Sequence, residues 1–333
     1  METSPLRVGI LSFAHVHAAA YAHALNDIAG ATLAGIWDDQ VARGRQAATS
    51  YSTTFFADLE QLLSSVDTVI VASENVRHKE LVLAAAAAGV PVLCEKPLAT
   101  TVEDGLAMIR ACAAAGVQLG TAFPVRYSAP VRSLRAAVQS GMLGETLMIR
   151  ATNRGTYPGS WFGQRELAGG GAIMDHTVHV ADLLRWIWRR ECVEVYAEVA
   201  TRHHALEVDD CGLLLITMED GLFASLDPSW SRPVDAFPTW GDVTLEVTGT
   251  LGTAAIDVFA QNIEFYSNQR GRTEWRNWGD NLNRLMIADW LSAVRTNAPA
   301  SITGEDGLRA VEVALAAYRS AAANAPVQLS RAG

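Results

Sequence analysis

The first 123 residues alternate short apolar runs with helical stretches, and that alternation admits few folds. Residues 7–11, 32–37, 67–72, 91–94 and 117–122 read as buried strands. Residues 18–25, 40–50, 59–63, 78–88 and 102–115 read as the helices between them. Strands joined through helical crossovers run parallel, so a doubly wound, Rossmann-type sheet is expected. Such sheets bind ligands beyond the carboxyl ends of their strands. Ser12, Asp38, Ser73 and Glu95 fall at those ends. Gly89 closes one helix and suits a left-handed cap.

The pattern changes after residue 123. A helix at 132–139 and a strand at 145–152 are followed by Gly169-Gly170-Gly171 and a helix over about 174–188. Strands at 193–201, 211–218, 222–227, 243–249, 253–258 and 263–267 then follow with no helices between them, which predicts a largely antiparallel sheet. Helices at 283–296 and 307–323 close the chain. The expected class is α/β. Residues 1–123 are expected to form a Rossmann-type, dinucleotide-binding domain and residues 124–333 an α+β domain, to which the family resemblance given below assigns substrate binding and oligomerisation.

Composition narrows the partners. A net charge of −10 with no basic cluster argues against nucleic acid and anionic membranes. No apolar run approaches the ~18 residues of a membrane span. The N-terminal residues lack the pattern of a secretory signal. Four scattered cysteines, Cys94, Cys112, Cys192 and Cys211, suit a reduced, cytoplasmic protein. Lysine occurs only at Lys79 and Lys96 in a chain otherwise served by arginine, which singles out Lys96 as a place for a compact ammonium.

Three stretches carry chemistry. In the first strand-to-helix turn, where a dinucleotide-binding protein has G-x-G-x-x-G, this chain reads Ser12-Phe13-Ala14-His15-Val16-His17. Small residues stand at the first two glycine positions and a histidine at the third. The helix N-terminus still offers N–H groups to an anion, so the turn is either a modified cofactor site or a repurposed one. Asp38, 21 residues after His17, is placed to accept the adenosine ribose hydroxyls and to repel a 2′-phosphate, which favours NAD over NADP. Arg43 and Arg45 could soften that preference. The second stretch, Cys94-Glu95-Lys96-Pro97, ends a strand and would place an ammonium beside a nicotinamide ring. The third, Gly169 to Asp182, sets Asp175 and His179 four residues apart on one helix face, where a carboxylate and an imidazole can bind a polyol and take its hydroxyl proton. His176 lies close by, and the glycines would let that helix start approach a ligand. A metal held by His15 and His17 with Asp175, His176 and His179 lacks a recognisable ligand spacing, so none is expected. Tyr157, Trp161 and Trp230 are aromatic candidates for packing against a sugar.

Taken with Asn75-x-x-His78, Glu95-Lys96-Pro97-Leu98, Arg126-Tyr127-x-x-Pro130, Gly141-x-x-Gly144 and Thr303-Gly304-Glu305-Asp306-Gly307, these motifs make nearly the whole chain resemble the glucose–fructose oxidoreductase / inositol dehydrogenase (Gfo/Idh/MocA) family. The resemblance implies a Rossmann domain, an open-faced sheet in the second domain, and a homodimer or homotetramer. It implies NAD(P)-linked oxidation or reduction of a sugar, inositol or related polyol, with Lys96, Asp175 and His179 as the catalytic residues. The expected cofactor contacts are Ser12, Phe13, Ala14, His15, Asp38, Ala72, Ser73, Asn75, His78, Glu95, Lys96 and Arg126. Two other readings stay open. One is NAD-dependent glycoside cleavage through transient oxidation, and the other is a ligand-binding relative without cofactor.

Overall fold

The computed structural model describes residues 4–269, 271–277 and 279–329. The chain divides into two compact units. The first comprises the residues up to Pro124 together with Glu166–Ala168 and Asn281–Leu308. The second comprises Val125–Arg165, Gly169–Asp280 and the residues from Arg309 onward. A single cut near residue 123 therefore does not separate them.

The first unit alternates strand and helix: β1 (Leu6–Leu11), α1 (His17–Asn26), β2 (Ala31–Trp37), α2 (Val41–Ser50), β3 (Thr54–Phe56), α3 (Leu59–Ser65), β4 (Thr68–Val71), α4 (His78–Ala87), β5 (Val92–Cys94), α5 (Val102–Ala115) and β6 (Leu119–Thr121). The strands form one six-stranded sheet in the order β3-β2-β1-β4-β5-β6. Its pairings are parallel throughout. Val8, Ile10, Val69, Ile70 and Val92 are wholly buried, as apolar strands between two helical layers must be. The order reverses at β1 and β4, and there the ends of neighbouring strands diverge to leave the crevice of such sheets. Asp58 and Thr101 cap α3 and α5 through side-chain oxygens. Gly89 and Gly116, at φ 72° and 68°, follow α4 and α5 in the left-handed conformation.

The second unit contains α6 (Ala129–Gln139), β7 (Thr146–Gly155), the single turn α7 (Arg165–Ala168, most of which packs with the first unit), α8 (Ala172–Trp188), β8 (Cys192–Ala200), β9 (Cys211–Met218), β10 (Phe223–Asp227), β11 (Gly241–Gly249) and β12 (Thr253–Asp257). Next come a separate hairpin of β13 (Asn262–Ser267) and β14 (Arg272–Asn277), then α9 (Leu282–Thr296), which belongs to the first unit, α10 (Gly304–Ala323), which begins in the first unit and continues in the second, and β15 (Val327–Gln328). Seven strands make the larger sheet, in the order β12-β11-β7-β10-β9-β8-β15. It is mixed: β7 and β10 pair in parallel and the other neighbours are antiparallel. The apolar α8 covers one face of it, with Ile173, Val180, Leu183, Leu184 and Ile187 fully buried. On the other face, Leu213, Leu215 and Phe223 are exposed along β9 and β10.

Candidate active site

In the first unit the turn after β1 is tied by hydrogen bonds within itself and to the residues that follow β2 and β4. Ser12 takes φ 74°, the left-handed conformation that the first glycine of such a turn would favour. Its hydroxyl accepts from the Ala14 N–H at 3.2 Å. The Phe13 N–H donates to Asp38 at 2.8 Å, and the His15 N–H donates to the carbonyl of Ala72. The His17 N–H donates to His15 Nδ1 at 3.1 Å. Hydrogen-bonding capacity that could meet a phosphate is thus partly spent within the chain.

His17 begins α1 where a glycine would allow helix and strand to pack closely. Its ring finds room by turning onto Glu95, with Nδ1 2.9 Å from Oε1. Glu95 is completely buried, and it also accepts from the Tyr21 hydroxyl and, at 2.8 Å, from the Lys96 N–H. Burial works against its ionisation, but the nearby imidazoles of His15 and His17 and the Lys96 ammonium hold its carboxyl well below the usual carboxylate range. Ligand atoms of His15, His17 and Glu95 lie within 4.8 Å of one another, a donor set of the kind a divalent transition metal uses. These donors are already engaged among themselves. The grouping also differs from the expected one, which joined the two histidines to residues of α8.

Lys96 follows the carboxyl end of β5 and is buried. The loop that carries it is fixed from α4: His78 Nδ1 lies 2.9 Å from the carbonyl of Pro97. Burial lowers the His78 pKa and favours the neutral ring, so His78 is a donor that holds this loop. Asn75 donates to the Ala168 carbonyl at 2.9 Å, and the Ser73 hydroxyl donates to the Glu74 carbonyl. Ala72, Ser73 and Asn75 are all buried beside the end of β4.

In the second unit, α8 starts at a crowded point. A Cβ on Gly171 would lie 1.8 Å from the Asp209 carbonyl oxygen, and one on Gly170 would lie 2.3 Å from the Tyr318 hydroxyl. Asp209 accepts from the N–H groups of Gly171 and Ile173, and the Tyr318 hydroxyl stands 3.1–3.2 Å from those of Gly171 and Met174. The glycines make room for the chain's own capping groups. The free helix start expected for a ligand is therefore filled by Asp209 and Tyr318.

Asp175, His176 and His179 are all buried on the first two turns of α8. The Trp230 indole N–H donates to Asp175 Oδ2 at 3.2 Å, and His176 Nε2 lies 3.3 Å from the same oxygen. His176 Nδ1 is 3.0 Å from the Pro228 carbonyl and must carry a proton to bond it. Trp230 is buried, with its ring 5.2 Å from that of Tyr157. Trp161 is buried and stacked on Phe162 at 4.0 Å. Arg126, expected among the cofactor contacts, is buried in a bidentate pair with Asp182 at 2.5 and 2.7 Å. Sequence reasoning did not find Tyr21, Asp209, Tyr318 or the partnership of Arg126 with Asp182. Those partners lie 36–147 residues apart, and no local spacing announces them.

A parallel sheet of this order with a cleft-end lysine, joined to a unit whose central helix carries a carboxylate and two imidazoles, defines a two-unit, dinucleotide-linked oxidoreductase. Comparison with known proteins makes the class specific. Residues 6–123 match the oxidoreductase family with an NAD-binding Rossmann fold, and residues 131–255 match the GFO/IDH/MocA C-terminal domain. The chain is 34% identical over 266 residues to the 1,5-anhydro-D-fructose reductase of Ensifer adhaerens, covering 77% of this chain and 78% of that protein. It is 27% identical to the myo-inositol 2-dehydrogenase of Thermotoga maritima, covering 95% and 96%. GenD2 from gentamicin A biosynthesis, solved in complex with NAD, superposes with a TM-score of 0.90 at 26% identity, covering 99% and 98%. The chain belongs to the Gfo/Idh/MocA family of oxidoreductases.

Proposed function

We propose that this protein is an NAD(H)-dependent dehydrogenase or reductase of a sugar, an inositol or a related polyol. The observation that carries the reading is Lys96, a buried lysine directly beyond β5 in a sheet of dinucleotide-binding order. The names of the relatives, reductase of an anhydro sugar and dehydrogenase of an inositol, supply the substrate class. Ser12, the ends of β2 and β4, and the first turn of α1 fit a dinucleotide in kind, and the carboxylate at Asp38 favours NAD(H) over NADP(H). The cofactor supplies the hydride acceptor when bound. Lys96 hydrogen-bonds the reacting oxygen and stabilises its developing negative charge. His179 takes the hydroxyl proton as general base. Asp175, whose Oδ2 is fixed by Trp230 and His176, orients the substrate. Glu95, Asn75 and His78 hold the loops that present Lys96 and the cofactor. Arg126 and Asp182 act as a structural pair that ties α8 to the segment before α6. The exposed Leu213, Leu215 and Phe223 support assembly into a homodimer or homotetramer through the sheet.

The test is a titration with NADH followed by energy transfer from tryptophan, then a screen of sugars and inositols for NADH formation. Saturable binding and substrate-dependent NADH are the expected results. Substrate turnover without NADH accumulation would move the reaction to cleavage through transient oxidation. Failure of folded, nucleotide-free protein to bind either dinucleotide would defeat the reading.

A further inference from the structure

Two histidines and a glutamate from separate elements of the first unit meet with the spacing of a metal centre. Donors about 2.1 Å from a tetrahedral ion lie about 3.4 Å from one another. Two distances to Glu95 Oε1 bracket that value: His17 Nδ1 stands at 2.9 Å and His15 Nδ1 at 3.8 Å. The three residues offer ligand atoms that all fall within 4.8 Å of one another. His15 lies in the turn after β1, His17 begins α1 and Glu95 follows β5. The cluster exists because parallel strands of one sheet end on the same side.

The lone pairs of the cluster are placed for an ion. His15 Nδ1 accepts from the His17 N–H at 3.1 Å, so that nitrogen carries no proton. Ligation would release the His17 N–H, one of the first donors of α1, which water can serve. His17 Nδ1 shares a proton with Glu95 Oε1, and a cation between the two atoms takes the place of that proton. The carboxylate is already oriented by groups that need not move. The Tyr21 hydroxyl donates to Oε1, and the Lys96 N–H donates to Oε2 at 2.8 Å. Hydrogen bonds of this kind aim a ligating carboxylate and strengthen its hold on a metal. The side chains of His15 and Glu95 are shut off from solvent, whereas that of His17 is 33% exposed, so an ion enters past His17.

We propose that His15, His17 and Glu95 bind one divalent transition metal ion of the zinc type, with water or another oxygen donor in the fourth position. The ion ties the turn after β1 to the loop that carries Lys96. The site uses residues of the first unit alone and does not depend on the cofactor reading. The full-length protein, stripped of metal and nucleotide, is titrated with Co²⁺ alone and with Zn²⁺ alone. A single equivalent of Co²⁺ should bind with the visible absorption of a tetrahedral ion, and Zn²⁺ should displace it with a dissociation constant of about 1 μM or lower. His17→Gln and His15→Gln should each weaken Zn²⁺ binding by about a hundredfold or more. Tyr21→Phe keeps all three donors but loosens the carboxylate, and should weaken it by about tenfold. His204→Gln, which alters an imidazole paired with Asp210 in the second unit, should leave it unchanged. If the variant of the buried His15 does not fold, His17→Gln carries the test from its partly exposed position. X-ray absorption by the zinc-loaded wild type gives a separate answer, with two imidazoles and no sulfur expected around the ion. Absence of stoichiometric binding to folded wild type, undiminished affinity in His17→Gln, or sulfur in the coordination shell overturns the proposal.

Discussion

Lys96 is one of two lysines in 333 residues, and the two have different surroundings. Lys79 lies at the protein surface, paired with Asp104 at 2.7 Å, where an arginine would serve equally well. Lys96 is buried beside a strand end. An ammonium there presents a compact charge to one developing oxyanion, which a planar guanidinium does not replace. Lys96→Ala should lower kcat by about a hundredfold or more while changing the NADH dissociation constant by less than about threefold. Lys96→Arg should recover little of the loss. Steady-state kinetics beside a binding titration checks both, and undiminished turnover in Lys96→Ala would remove the lysine from the mechanism. His78 makes a prediction about pH. Burial lowers its folded pKa, so below the unfolded value of about 6.5 the unfolded chain binds a proton that the native chain does not. Stability then falls as pH drops from there toward the folded value. His78→Asn keeps a donor for Pro97 and removes the titration. Urea midpoints at pH 7 and 5.5 should therefore lie closer together for the variant than for the wild type. Equal spacing in the two proteins would assign the slope to other groups.

At the scale of elements, α8 shows what a pattern reveals and what it conceals. Its i, i+4 pairing of Asp175 and His179 is legible because helix geometry alone sets it. The reason for its glycines is not legible, because Asp209 and Tyr318 are brought to the helix start only by the fold. The short strand β3 is not legible because three residues are too few to display a period, and β14, Arg272–Asn277, has a single apolar residue among its six. Likewise the expected antiparallel sheet proved mixed, since the direction of β7 against β10 depends on a connection of some 67 residues rather than on either strand's own residues. The five parallel strands expected in the first unit were readable because each is a continuous apolar run bounded by helices. The same start of α8 can be tested directly. Gly171→Ala drives a Cβ into the Asp209 backbone and should cost about 3 kcal/mol or more. Tyr318→Phe removes a single hydroxyl from the cap and should cost about 1 kcal/mol. Chemical denaturation distinguishes them, and near-equal effects would show that the crowding at Gly171 relaxes freely.

For the whole molecule, the sequence suggests two domains joined once, whereas the first unit recruits residues 281–308 from far along the chain. That return completes a core. The Trp290 indole donates to Thr68 Oγ1 at 3.0 Å, and the ring lies so near Gly120 that a Cβ there would be 2.9 Å away. Gly120 bridges Thr303, and Gly307 packs against Thr121. Without these residues β6 is left as a bare edge with an apolar flank. A fragment ending at residue 124 would carry every strand of the dinucleotide-binding sheet and yet lack Met286, Ile287, Trp290 and Leu291, all buried in the native protein. It should bind a hydrophobic dye, unfold without a cooperative transition and fail to bind NADH. Joining residues 281–308 to it through a flexible linker should restore cooperative unfolding. In the full-length protein, Trp290→Ala alone should cost about 3 kcal/mol or more, as removal of a large buried aromatic does. Cooperative unfolding of the shorter fragment, at a midpoint equal to that of the linked one, would show that the sheet and its own five helices suffice. Residues 281–308 would then be an accessory to the first unit rather than part of its core.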